Sequence, residues 1–183
     1  NTVQTINSGA TTTFIVIPDA GFHIASVSGC VGNLAGNAYT TGAVNGDCGV
    51  TAVFALNQYA VTASAGTGGT ISPANQTIDF NSTASLTVTA NPGYSIANVT
   101  GCGGTWNGSN PYNTGAVTAE CSITASFTLN SYMVTSSVTG TGGSIGPVSQ
   151  SVNYGSAATL AVTPAAGYSI NTVTGCNGSL NGN

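Results

Sequence analysis

Apolar and polar residues alternate along most of this chain. From Cys121 the odd positions are Cys121, Ile123, Ala125, Phe127 and Leu129, and between them lie Ser122, Thr124, Ser126 and Thr128. A period of two belongs to a half-buried strand. The cysteine falls on the apolar face, so a bond from it reaches into the core. Cys48, Val50, Ala52, Phe54 and Leu56 form the same inner face earlier in the chain. Tyr59, Val61 and Ala63, set against Ala60, Thr62 and Ser64, predict an opening strand. Gln76 to Phe80 predicts a second strand, Leu86, Val88 and Ala90 a face of a third, and Tyr94 to Val99 a fourth. A short strand from Pro111 to Thr114 precedes the closing one. Turn residues punctuate these runs at Ala65 to Thr70, Asn81-Ser82 and Asn91-Pro92-Gly93. No window carries a sustained helical period with caps, so almost no helix is expected.

The pattern recurs. Gln4, Gly21 and Cys30 return as Gln76, Gly93 and Cys102, and Gln76, Tyr94 and Cys102 return as Gln150, Tyr168 and Cys176. We divide the chain into residues 1–57, lacking an opening strand, a complete copy over 58–130, and residues 131–183, lacking a closing strand. Asn1 falls inside a repeat unit, so a mature fragment or a window on a longer chain is expected. Links between copies are short: Leu56-Asn57-Gln58-Tyr59 and Leu129-Asn130-Ser131-Tyr132. A closing strand runs almost directly into the next opening strand, which predicts a stiff junction where a Gly/Ser linker would give a floppy one. Compact-domain scaling makes each unit roughly 25–30 Å across.

Charge narrows the functional classes. The chain has 183 residues, no Lys or Arg, four acidic residues and one His. With 2% charged residues it has no electrostatic means of attracting nucleic acid or an acidic membrane surface. No apolar run approaches the roughly 18 residues of a membrane span. The missing lysines also leave strand edges without their usual protection, so edges are either covered within the array or used for pairing.

Cysteine spacing follows the repeat, which predicts disulfides Cys30–Cys48 and Cys102–Cys121 and an extracytoplasmic location, cell surface or secreted. Cys176 has no partner in this chain. Each bridge closes a short loop and is worth about 3 kcal/mol, a large part of the stability of a unit with so thin a core. A zinc site needs about four ligands at motif spacing, and each unit supplies two cysteines. Asp19, Asp47, Asp79 and Glu120 are scattered and do not form a calcium loop or a glycosidase pair. Gly66-Thr67-Gly68-Gly69 lacks the Lys and helix of a phosphate loop. His23 is replaced by Ser95 and Ser169 in the other copies and sits beside no nucleophile motif. No catalytic, cofactor or metal residue is assigned, and no enzyme is expected. Trp106 is matched by Leu34 and Leu180, a pattern of apolar packing. The weaker candidates for ligand contact are Trp106, Asn107 and Tyr112, in and beside the Cys-flanked loop. Asn75, Asn81, Asn98, Asn107 and Asn177 open N-glycosylation triplets, most of them expected by chance in so Asn/Ser/Thr-rich a chain.

Tyr59, Val61, Gly68, Gly69, Ile71, Pro92, Gly93, Tyr94, Ile96, Val99, Cys102, Tyr112, Gly115, Cys121, Ile123, Ala125 and Phe127 carry a motif set that resembles the bacterial divergent InlB B-repeat family. The family is related to the Listeria–Bacteroides repeats, and the resemblance covers essentially the whole chain. It implies small β modules, β-grasp-like in the better-known relatives, strung along secreted and surface proteins, with no catalytic residue. This chain departs in having no basic residue and in carrying the cysteine pair, and it offers no segment for a β-grasp helix. The expected fold is therefore all-β: tandem disulfide-stapled modules, sandwich or helix-poor β-grasp-like, in an elongated array. The expected role is structural, a stiff extracellular rod forming a stalk, a fibre or a self-assembling filament whose partners are copies of itself. If the chain ends are genuine, neighbouring chains would supply the missing strands. The alternative is an adhesin-type module that binds a glycan or host protein through the Cys-flanked loops.

Overall fold

The computed structural model describes residues 3–181, and among them there is no helix. The first copy contains β1 (Thr13–Ile15), β2 (Phe22–Ser28), β3 (Asn33–Ala35), β4 (Ala38–Thr40) and β5 (Thr51–Leu56). The middle copy contains β6 (Gln58–Ala65), β7 (Gly69–Ser72), β8 (Asn75–Asp79), β9 (Ser85–Ala90), β10 (Tyr94–Gly101), β11 (Tyr112–Asn113) and β12 (Cys121–Leu129). The third contains β13 (Ser131–Thr135), β14 (Gly143–Gly146), β15 (Ser149–Asn153) and β16 (Ala161–Pro164).

The middle copy is a two-layer module. One sheet has the order β10-β12-β6-β8 and the other β11-β9-β7. All neighbours are antiparallel except β12 and β6, which run parallel with Cys121 opposite Val61 and Ala125 opposite Ala65. A parallel pair needs a long connection, here the rest of the repeat, so the first and last strands of the unit are its central pair. Alternation then places one face of each strand inward. Val61, Val99, Ile123 and Ala125 from the first sheet meet Ile71, Leu86, Val88 and Tyr112 from the second in a single cluster with Ala84 and Val117. Two sheets closing on one core correspond to a sandwich.

The flanking copies repeat parts of this plan. In the first, β2–β5 repeats β10–β12 down to the register shift, between Ile24 and Ser26 there and between Ile96 and Asn98 here. In the third, β13–β15 repeats β6–β8. Two differences from the sequence reading stand out. Gly69-Thr70, read as the end of the Ala65 to Thr70 turn, instead opens strand β7, because Ile71 pairs with Val88 and joins the core. Tyr168 to Val173, which carries the same alternation as β10, forms no strand, because among the described residues no closing strand lies beside it.

Candidate functional site

Two constructions recur from copy to copy: the cysteine loop and the joint between repeats. The loop begins at a glycine held at positive φ, Gly29 at 124° and Gly101 at 130°. A side chain there would overlap the carbonyl of Gly49 in one case and of Ser122 in the other, so the loop and the closing strand touch backbone to backbone. The following Cys30 and Cys102 also adopt left-handed backbone, with φ of 45° and 48°. This conformation brings each to its partner: Cys30 to Cys48 with Cα atoms 5.5 Å apart, and Cys102 to Cys121 with Cα atoms 5.4 Å apart. The bridges span 18 and 19 residues. Cys176 has a φ of 49°, like its two counterparts, and is exposed with a free thiol.

A buried tyrosine locks each loop from below. Tyr39 donates its hydroxyl to the Gly29 carbonyl at 2.6 Å, and Tyr112 donates to that of Gly101 at 2.7 Å. A buried threonine two residues further on ties the same segment to an earlier part of the copy. Thr41 Oγ1 accepts from the Thr12 amide and Thr114 Oγ1 from the Ala84 amide. Burial raises the Tyr112 phenol above its ordinary pKa.

These contacts bear directly on the three residues proposed to meet a ligand. Tyr112 is 1% exposed and its hydroxyl is taken by Gly101, which removes it from the candidates. Trp106 is half-buried and packs against the core of the middle copy. Asn107 alone is exposed, and its Oδ1 accepts from the amide and hydroxyl of Ser109, a local turn. The four acidic residues are all exposed, and among the described residues no group of three His, Cys, Asp or Glu side chains could hold a metal. Among the described residues no helix is long and apolar enough to cross a membrane.

Sequence reasoning noted that the links were short and missed how they are built. The Asn57 amide donates to the Gly21 carbonyl in the first copy, and the Asn57 carbonyl accepts from the Phe80 amide in the middle copy. Asn130 does the same with Gly93 and Tyr154. Each asparagine is thus held by one repeat on its N–H and by the next on its C=O. Its side chain is held too: Asn57 Oδ1 lies 2.9 Å from His23 Nδ1, and Asn130 Oδ1 accepts from Ser95 Oγ at 2.6 Å. Across each joint an aromatic ring covers a glycine. A methyl on Gly21 would overlap the Phe80 ring, and one on Gly93 the Tyr154 ring. The available signal was the paired recurrence of Asn57 with Asn130 and of Gly21 with Gly93.

The family model of the divergent InlB B-repeat domain matches residues 1–58, 59–131 and 132–182, three segments that together span nearly the whole chain. No curated protein and no solved structure matches it.

Proposed function

The chain belongs to the divergent InlB B-repeat family, and from that premise we propose that it is a structural segment of an extracellular or cell-surface protein, a stiff row of modules forming a stalk or fibre. The observation that carries this reading is the joint. An asparagine tied to both repeats, with a ring seated on glycine, occurs at Asn57 and again at Asn130. A linker meant to flex has no use for such contacts. Disulfide-stapled loops support a location outside the reducing cytoplasm. The absence of Lys and Arg leaves no trypsin site, which suits a durable material.

Recognition of a glycan or host protein through the Cys-flanked loops is less well supported, since Tyr112 and Trp106 serve the fold. Small-angle scattering of the dilute chain tests the structural reading. The expected curve fits one conformation, and Gly21→Ala with Gly93→Ala broadens the distribution of end-to-end lengths while leaving strand content unchanged. A parent chain that already scatters as freely jointed beads would overturn it.

A further inference from the structure

The two cysteine loops share a feature that the fold does not use. The chain has four acidic residues and no Lys or Arg. Two of the four, Asp47 and Glu120, stand directly before the closing cysteines, Cys48 and Cys121. Both are exposed. In the middle copy Glu120 lines a solvent-open cleft of about 230 Å³ together with Cys102, Gly103 and Cys121, and the 116–119 segment forms the rest of the wall. That wall is held in place. Val117 is buried in the core, its amide donates to the Ser82 carbonyl, and its carbonyl accepts from the Asn81 amide. Both cysteines of the bridge therefore border the space that a reagent enters from solvent, and the one charged group on that border is a carboxylate. In the first copy Cys48 is itself exposed, with Asp47 beside it. No cation offsets either charge. His23, the one imidazole, stands at the joint beside Asn57, at the far end of β2 from the first bridge. Asp79 accepts from the Gln58 side chain, and Asp19 lies in the turn before β2.

We infer that Glu120 guards the Cys102–Cys121 bond against anionic thiols, and that Asp47 does the same for Cys30–Cys48. A disulfide is broken by a thiolate. The incoming sulfur bonds to one cysteine sulfur, the S–S bond breaks, and the electron pair leaves with the other cysteine as a thiolate. A second thiol then resolves the mixed disulfide, giving two reduced cysteines and one oxidised small disulfide. The attacking charge has to reach sulfur beside the carboxylate of the next residue. Neighbouring Cα atoms are about 3.8 Å apart, well inside the roughly 8 Å over which physiological salt screens charge. A thiol that brings a further negative charge meets more repulsion, and one that brings an ammonium group meets less. Across a water-filled cleft one such pair of charges changes a rate by about threefold. The guard goes beyond the structural reading and holds whether or not the row is stiff.

The test uses the whole chain with Cys176→Ser, so that no free thiol exchanges with the bridges. The probes are an anionic thiol, mercaptoethanesulfonate, a neutral one, mercaptoethanol, and a cationic one, cysteamine. Alkylation and peptic mapping follow each bridge separately, and rates are compared per thiolate. Glu120→Gln and Asp47→Asn remove the same charge from the chain, so each is the control for the other. At low salt Glu120→Gln should speed reduction of Cys102–Cys121 by the sulfonate about threefold or more, by mercaptoethanol less and by cysteamine least. Cys30–Cys48 should keep its rate in that variant. Asp47→Asn should give the mirror result. Salt at about 1 M should remove most of the difference between parent and variant. A variant that the sulfonate reduces at the parent's rate overturns the inference. Equal acceleration by all three thiols also overturns it, since that is the mark of a loosened loop. So do equal effects on both bridges, which would leave only net charge at work. Rates that stop rising with thiol concentration would show reduction only after unfolding, and would overturn it as well. None of these outcomes touches the scattering test of the stiff row.

Discussion

The middle copy and the first copy share a fold plan and a disulfide, yet they bury different amounts of the same side chains. Ile123 is 0% exposed and Ala125 1%, while their counterparts Val50 and Ala52 are half-buried. Phe127 packs against the core, and its counterpart Phe54 is 42% exposed. The sequences of the two closing strands are nearly interchangeable, so local pattern does not explain the gap. What differs is β6 and β7, which have no counterparts in the first copy; β6 pairs with β12 in one sheet and β7 with β9 in the other, and both add side chains to the core between them. Burial in this repeat is thus a property of the strand pair that closes it. Tyr39, Val16 and Thr41 stay buried in the first copy because their neighbours, β1 and β4 and the cysteine loop, are all present.

The largest test of that contrast is a single truncation made twice. Ile123→Ala removes side-chain atoms from a sealed core and should destabilise the middle copy by about 4 kcal/mol. Val50→Ala, at the matching position, should cost the first copy less than about 1 kcal/mol, since its side chain is already half in water. Hydrogen exchange resolved by copy would measure both. Equal costs would mean that β6 and β7 are not what seals the core.

Next comes the disulfide. Replacing Cys102 and Cys121 with Ser should lower the stability of the middle copy by about 3 kcal/mol, from the chain entropy its loop regains. Cys48 is exposed, whereas Cys102 and Cys121 are half-buried against the core. Dilute reductant should therefore open Cys30–Cys48 before Cys102–Cys121, read by alkylation and mass analysis. The reverse order would show that the first copy shields its bond better than its open edge suggests.

A smaller effect separates the two copies at one asparagine. In the middle copy the Asn110 side chain accepts from the Val88 amide at 2.8 Å and donates to the Val88 carbonyl at 2.7 Å, taking the place of a strand neighbour. In the first copy the Val16 amide donates instead to the backbone carbonyl of Asn37. Asn110→Ala should cost about 2 kcal/mol by leaving both groups of Val88 without partners. Asn37→Ala keeps its backbone carbonyl and should cost no more than about 0.5 kcal/mol. Urea unfolding of the two variants makes the comparison.

Much of this was legible before any coordinates. Alternation located β6, β9, β10 and β12, and the recurrence of Cys30 and Cys102 with the repeat pointed to the loop, because both signals are local and periodic. β7 was hidden because Gly68 and Gly69 look like a turn, and only the pairing of Ile71 with Val88 reveals a strand. Tyr168 to Val173 failed in the opposite way: its pattern is right, but among the described residues no strand lies beside it, so it forms no ladder. The joint left a faint trace. Asn57 and Asn130 lie in a two-strand link with no period, and their role rests on contacts with Gly21, Phe80, Gly93 and Tyr154 far away in sequence. Tyr112 was taken for a possible ligand contact because a loop-adjacent aromatic looks alike whether its hydroxyl faces water or a carbonyl.

That hydroxyl supplies the finest test. Tyr112→Phe keeps the ring and removes one bond, so it should cost the middle copy about 1 kcal/mol at neutral pH, with Tyr39→Phe costing the first copy a similar amount. The pH dependence is more telling. Burial raises the Tyr112 phenol above its ordinary value of 10.0, so the folded chain holds that proton more tightly than the unfolded one. Below pH 10 both states are protonated and the group adds no slope. Above it the unfolded chain ionises first, and stability falls until the folded phenol ionises too. The informative quantity is the difference between parent and Tyr112→Phe, which isolates this one phenol. The deficit of the variant at neutral pH should shrink as pH climbs past 10. A deficit that stays constant to higher pH would mean that water reaches the hydroxyl, and that the middle copy is sealed less tightly than Ile123 implies.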